Sequence, residues 1–161
     1  MTLPPLPAAA VILRADAADW RAAVRAAGRA LARSGAVRET YSDRMIDVLE
    51  EFGAYIVIAP GLALAHARPG PDVLRSGLAV VTLAEPVAFG HPHNDPVRVV
   101  VGLAVSNAEE HVASVAGLAN VFNEQSAIER LANATSVEEV TAVFDGAAAD
   151  GGASDGAGVG A

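Results

Sequence analysis

The chain contains no cysteine in its 161 residues. No disulfide framework, thiolate metal site or cysteine nucleophile can be built from it. Aromatic residues are scarce at 4%, although hydrophobic residues make up 52%. A globular core is therefore expected, built from Ala, Val and Leu with few large anchors. Positive charge is short as well: 11 Lys and Arg stand against 19 Asp and Glu, a formal net charge of −8. A general nucleic-acid binder needs the opposite sign. An acidic surface keeps a protein soluble, and it also suits a basic protein partner. Long apolar runs are missing too. Val97 to Val105 is interrupted by Arg98, and it falls far short of the roughly 20 residues of a membrane helix. Residues 1–7 carry no basic segment and no unbroken apolar stretch, so no signal peptide is expected. A cytoplasmic protein is the expectation.

The length favours one domain. It is expected over residues 1–145. A tail of nearly pure Gly, Ala, Asp and Ser follows over 146–161, too poor in apolar residues to repay its ordering entropy. No internal repeat is visible.

Asp16 is expected to cap a first helix. Trp20, Val24, Ala27 and Leu31 recur at helical spacing along it, and Gly35 ends it. A second helix is expected after Thr40 or Ser42, with Met45, Leu49 and Phe52 on one face and Gly53 at its end. Tyr55 to Ala59 is a short β-prone run before the turn signal Pro60-Gly61. Leu62 to Leu64 leads into His66, and Arg68-Pro-Gly-Pro71 is loop. Gly77 to Leu83 and Val97 to Val105 read as strands covered on both faces. Loop is expected between them, from Glu85-Pro86 on to Pro96.

Asn107 caps the next helix, whose acidic first turn suits the helix dipole. Val112, Val115, Ala119 and Phe122 are expected to form its buried face. Ala127, Ile128 and Leu131 mark a short helix. Ser136 and Glu139 form a capping box ahead of Val137, Val140 and Phe144. Helices before, between and after a few buried strands make an α/β fold, one sheet between helices on both faces. Local pattern does not encode the strand order.

With cysteine absent and no serine in a nucleophile-elbow sequence, covalent chemistry has to start from four histidines: His66, His91, His93 and His111. His66 stands at the end of a short apolar strand, before a Pro-rich loop, where a rigid scaffold can position it. A neutral imidazole can attack phosphorus. Phosphoryl transfer then asks for cations or N–H donors around the phosphate oxygens. Arg68, two residues on, is a candidate phosphate contact. On spacing alone the signal is weak, and a plain surface-loop histidine is the more ordinary reading. His111 lies in the first turn of the helix capped by Asn107, where backbone N–H groups favour anions. The same position also fits a half-buried histidine at the edge of an apolar face. His91, His93 and Asp95 carry metal-ligand chemistry, but no further spaced ligand cluster accompanies them.

The stretch Ala59-Pro-Gly-Leu-Ala-Leu-Ala-His-Ala-Arg-Pro69 resembles the active-site segment of enzyme IIA domains of the sugar phosphotransferase system, mannitol/fructose/ascorbate class. Its His-Ala-Arg-Pro ending is similar to the ascorbate branch. The resemblance continues through Ser76 to Gly90, Asn94 to Ala104, and His111 with the helix after it, so that it spans about Ala8 to Asp145. It implies one α/β domain with a five-stranded mixed sheet between helices. It implies that His66 accepts a phosphoryl group, through Nε2, and that His111 supports it. The implied donor is the histidine phosphocarrier protein. The implied acceptor is a cysteine on an enzyme IIB domain, which serves a membrane enzyme IIC that moves ascorbate or a related sugar. No cofactor, metal or nucleic acid enters at this step.

Two departures from the family pattern stand out. Ala65 replaces the usual proline before the active histidine, from which a looser loop is expected. The stretch Leu49-Glu-Glu-Phe52 offers no arginine where mannitol-type members have one, so Arg68 is the candidate to take its place. Three other roles compete: a regulatory module phosphorylated on His66, a domain that binds without being phosphorylated, and a metal-binding protein using the four histidines.

Overall fold

The computed structural model describes residues 3–145; the tail expected at 146–161 lies outside the described residues. Five strands form one mixed sheet in the order β1-β4-β5-β3-β2. They are β1 (Val11–Ala15), β2 (Val57–Ala59), β3 (Leu62–His66), β4 (Gly77–Val87) and β5 (Val97–Ala104). β1 runs parallel to β4 and β3 parallel to β5; the other two pairings are antiparallel. Helices α1 (Trp20–Arg33) and α2 (Thr40–Phe52) share a core with one face of the sheet. Helices α3 (Ala108–Val121), α4 (Gln125–Ala132) and α5 (137–145) share a core with the other. None of the helices among the described residues is long and apolar enough to cross a membrane.

Strand alternation distributes residues between the two cores. Leu62 and Leu64 of β3 and Val99, Val101 and Leu103 of β5 belong to the α3 side. Ala63, Ala65, Val100 and Ala104 belong to the α1 side. The alanines there meet Ala23, Ala26, Ala27 and Ala30 of α1, so helix and sheet pack closely without large side chains. A Cβ at Gly102 would press on Leu31 at 3.2 Å. A core of small residues is what the aromatic-poor composition demanded.

Four expectations are corrected. Asp19, not Asp16, caps α1, its carboxylate accepting the Ala22 N–H at 2.9 Å. Only the residue directly before the first turn can reach that donor. Phe52, at the last position of α2, faces solvent with 61% of its surface exposed, while Met45 and Leu49 are buried. The buried face of α3 is Ser114, Leu118 and Val121, continued by Phe122; Val112 is 68% exposed. So many positions of α3 are apolar that its pattern does not single out a face. Finally, β4 runs on through Glu85-Pro86 to Val87. Its register shifts after Thr82, and an irregular stretch of ladder tolerates a proline.

Candidate active site

His66 is the last residue of β3 and pairs with Leu103 of β5. Two residues beyond Leu64 on the same strand, it faces the α3 side of the sheet. There it meets His111, their ring centroids 5.1 Å apart. His66 Nδ1 lies 2.9 Å from the Leu64 carbonyl oxygen. A carbonyl only accepts, so Nδ1 carries the hydrogen, and in the neutral ring the lone pair sits on Nε2. Burial holds the His66 pKa below the ordinary histidine value. The Leu64 hydrogen bond opposes this, and the charge of a protonated His111 would add to it.

His111 occupies the fourth position of α3, its N–H bonded to the Asn107 carbonyl at 3.0 Å. Asn107 caps the helix as expected, its side chain accepting the Glu110 N–H at 2.8 Å. The pKa of His111 is also lowered, by burial. Its Nδ1 is buried without a hydrogen-bond partner among the described residues.

Tyr55 sets its ring edge-on to His66 at 6.2 Å, and Phe52 stacks edge-on against Tyr55 at 6.5 Å. Both aromatics are more than half exposed. Arg68 is exposed, and its charge acts on the Tyr55 hydroxyl, partly offsetting the upward push of burial on that group. The Arg68 side chain makes no hydrogen bond among the described residues, so its charge is available at this mouth.

Residues 5–146 match the family described as "Phosphoenolpyruvate-dependent sugar phosphotransferase system, EIIA 2". The chain belongs to this type-2 enzyme IIA family. It is 34% identical over 134 residues to the ascorbate-specific EIIA component of Escherichia coli, an alignment covering 83% of this chain and 87% of that one. The crystal structure of the mannitol IIA of Escherichia coli superposes with a TM-score of 0.76 at 33% identity, covering 86% of this chain and 98% of that one. The same mannitol IIA in complex with phosphorylated enzyme IIB superposes with a TM-score of 0.78 at 32% identity, covering 88% and 98%.

This family member separates its four histidines into two pairs, His66 with His111 and His91 with His93. The second pair builds a loop. His91 Nδ1 accepts the N–H groups of His93 and Asn94. The Asp95 carboxylate accepts those of Phe89, Gly90 and His91. His91 Nδ1 and the Asp95 carboxylate, two of the groups that suggested a metal, are thus engaged in local structure, and among the described residues no three His, Asp or Glu side chains converge as a metal site.

Three residues near His66 escaped sequence reasoning: Tyr41, Arg44 and Asp72. The Tyr41 hydroxyl, fully buried, accepts the Ala67 N–H at 3.0 Å and donates to the Leu103 carbonyl at 2.7 Å. Arg44 grips the Asp72 carboxylate with two hydrogen bonds, at 2.6 and 2.9 Å, and donates to the Arg68 carbonyl at 2.8 Å. That pairing holds the Asp72 pKa below the usual carboxylate value. The expectation of a looser loop after Ala65 meets a different picture. Ala65 is buried inside β3 opposite Gly102, and the segment after His66 is tied to α2 at Ala67, Arg68 and Asp72. One signal for Tyr41 was available: it extends the Met45–Leu49 stripe by one turn, and a buried tyrosine needs a partner for its hydroxyl.

Proposed function

We propose that the chain is a phosphocarrier that accepts a phosphoryl group from the histidine phosphocarrier protein on His66 Nε2. It then passes the group to a cysteine of an enzyme IIB domain in the cytoplasm, for uptake of ascorbate or a related sugar. The observation that carries this reading is the His66 ring itself. Its Nδ1–H is spent on the Leu64 carbonyl, its Nε2 is left as nucleophile, and a second histidine stands 5.1 Å away. The family membership, the ascorbate-specific relative and the mannitol IIA–IIB complex support the same direction.

In this mechanism the Nε2 lone pair forms the new N–P bond while the donor's N–P bond breaks. The electron pair of the broken bond returns to the donor imidazole. His66 keeps its Nδ1 proton, so its ring gains positive charge as the donor ring loses it, and the Leu64 carbonyl stabilises that charge. His111 helps if its hydrogen sits on Nε2, which leaves a lone pair on the buried Nδ1. An unsatisfied acceptor is the milder of the two penalties there, and the Nε2–H can donate to a phosphoryl oxygen. Arg68 supplies a cation at the same mouth. In the onward step the His66 N–P bond breaks toward the cysteine thiolate and the electron pair returns to Nε2.

Mixing the protein with enzyme I, the histidine phosphocarrier protein and phosphoenolpyruvate tests the proposal. The expected result is an acid-labile mass gain of one phosphate. It is lost in His66→Ala, and acceptance is slowed about 10²–10³-fold in His111→Ala, the usual cost of one transition-state donor. Arg68→Ala is expected to be slowed as well, and an unchanged rate removes Arg68 from the site. No gain in the wild type, with a donor active on another enzyme IIA, refutes the phosphocarrier reading. Onward transfer to an ascorbate-specific enzyme IIB, and not to a mannitol-specific one, tests the sugar.

A further inference from the structure

Tyr41 has no exposed surface, yet its hydroxyl is the meeting point of two strands. It receives the N–H of Ala67, the residue after His66, and donates to the carbonyl of Leu103, the residue paired with His66. One hydroxyl therefore bridges β3 and β5 at the rung where β3 ends. Arg44, three residues along α2, holds the far end of the same loop through Asp72 and the Arg68 carbonyl. Its guanidinium lies over the Tyr41 ring, 5.3 Å from the centroid. The two side chains lie on one face of α2 and fix both ends of the segment that leaves the candidate acceptor.

The ring direction of His66 depends on that end of the strand. Its Nδ1 is held by the carbonyl of Leu64, two residues back in β3, and its Nε2 must point along the line of attack. We propose that Tyr41 is a positioning residue for phosphoryl acceptance: its hydroxyl sets where β3 stops and so where the His66 Nε2 lone pair points, with Arg44 holding the loop beyond. The inference rests on the reading of His66 as acceptor. Removing the hydroxyl leaves the Ala67 N–H buried without that partner and lets the strand end move. Displacement by about 1 Å is enough to cost up to 10²-fold in rate.

The test is single-turnover transfer to the full chain from the phosphorylated histidine phosphocarrier protein, with the rate followed against donor concentration. Phosphorylation by phosphoramidate, a small chemical donor, is run beside it. In Tyr41→Phe the maximal rate is expected to fall about tenfold with the half-saturating donor concentration unchanged. The phosphoramidate rate should fall by the same factor, and the Nδ1–H tautomer signature of His66 in ¹⁵N NMR should weaken. A role confined to stability changes neither the tautomer nor the rate per folded molecule. A Tyr41→Phe chain that transfers at the wild-type rate overturns the inference, as does a change confined to half-saturation. If Tyr41→Phe does not fold, Arg44→Ala decides by the same criteria, since Arg44 is only half-buried and its removal leaves the Tyr41 ring in place. A wild type that takes no phosphate sinks the acceptor reading and this inference together. A wild type that takes phosphate while the variant matches it sinks this inference alone.

Discussion

At the scale of the residue, the decisive property of His66 is that it stays neutral where most histidines begin to charge. Burial lowers its pKa, and His111 beside it is lowered by burial too. In the proposed mechanism the neutral form is the nucleophile, so the acceptance rate is expected to be flat through neutral pH. It should fall only in acid, below the ordinary histidine value of about 6.5. The same shift has a stability consequence of fixed sign. The unfolded chain binds protons at these two positions at a higher pH than the folded one does. Their contribution to stability is therefore complete above about pH 6.5 and is lost as the pH falls through the lower folded values. Denaturant midpoints of the wild type and of His66→Ala/His111→Ala measured across that range check it. The wild-type midpoint should drop on acidification, and the drop should shrink in the double variant. A rate profile that bends at or above the ordinary histidine value contradicts the account.

At the scale of the element, α2 links the fold to the site. Its packing against α1 is set by Gly28, where an added Cβ would lie 1.8 Å from the Ser42 Oγ and 2.9 Å from the Ser42 Cβ. Replacing a helical glycine by alanine ordinarily gains up to about 1 kcal/mol. Overpacking of this kind costs about 1–3 kcal/mol, and here the clash reaches the Ser42 Cβ as well as its hydroxyl, so the clash should win. Gly28→Ala is expected to lower stability by about 1 kcal/mol in urea unfolding. It should also slow acceptance, because α2 carries Tyr41 and Arg44; a more stable variant with an unchanged rate would show that α1 and α2 do not need this close approach. The helices announced themselves in the sequence through a cap or a stripe: Asn107 caps α3, and Leu49 and Ile128 are buried where periodicity puts them, although the cap of α1 and the face of α3 were misplaced. β1 did not, because five residues at a sheet edge carry too little pattern. His66 and His111 were named as candidates from their segments and the family resemblance, and the fold brings their rings together. The Tyr41 hydroxyl was not, because its partners lie 26 and 62 residues away and are defined only by the folded sheet.

At the scale of the whole molecule, the proposed function asks the chain to present one nitrogen to two different proteins in turn. Large apolar side chains near the two histidines lie exposed. Phe52, Tyr55 and Val112, on α2, the α2–β2 connection and α3, are 61%, 53% and 68% exposed. Phe52 and Tyr55 run ring to ring into His66, and Val112 follows His111. In the sequence Glu51 directly precedes Phe52, and Glu109 and Glu110 directly precede His111 and Val112, in a molecule of net charge −8. A basic partner with an apolar centre would gain from both features, contact energy from the row and faster encounter from the charge. Val112 is the cleanest place to test this division, because its side chain touches solvent and not the core. Truncating a central contact residue costs more than about 1 kcal/mol in binding, roughly fivefold in affinity. Val112→Gln should therefore raise the half-saturating concentration of the phosphorylated donor protein about fivefold and leave the maximal rate unchanged. Raising the salt should slow encounter in wild type and variant alike, since the charges are untouched. Phosphoramidate, too small to span the row, should phosphorylate both chains at one rate. A Val112→Gln chain that is equally slow with the small donor would place Val112 in the chemistry of His66 and His111 and not in docking.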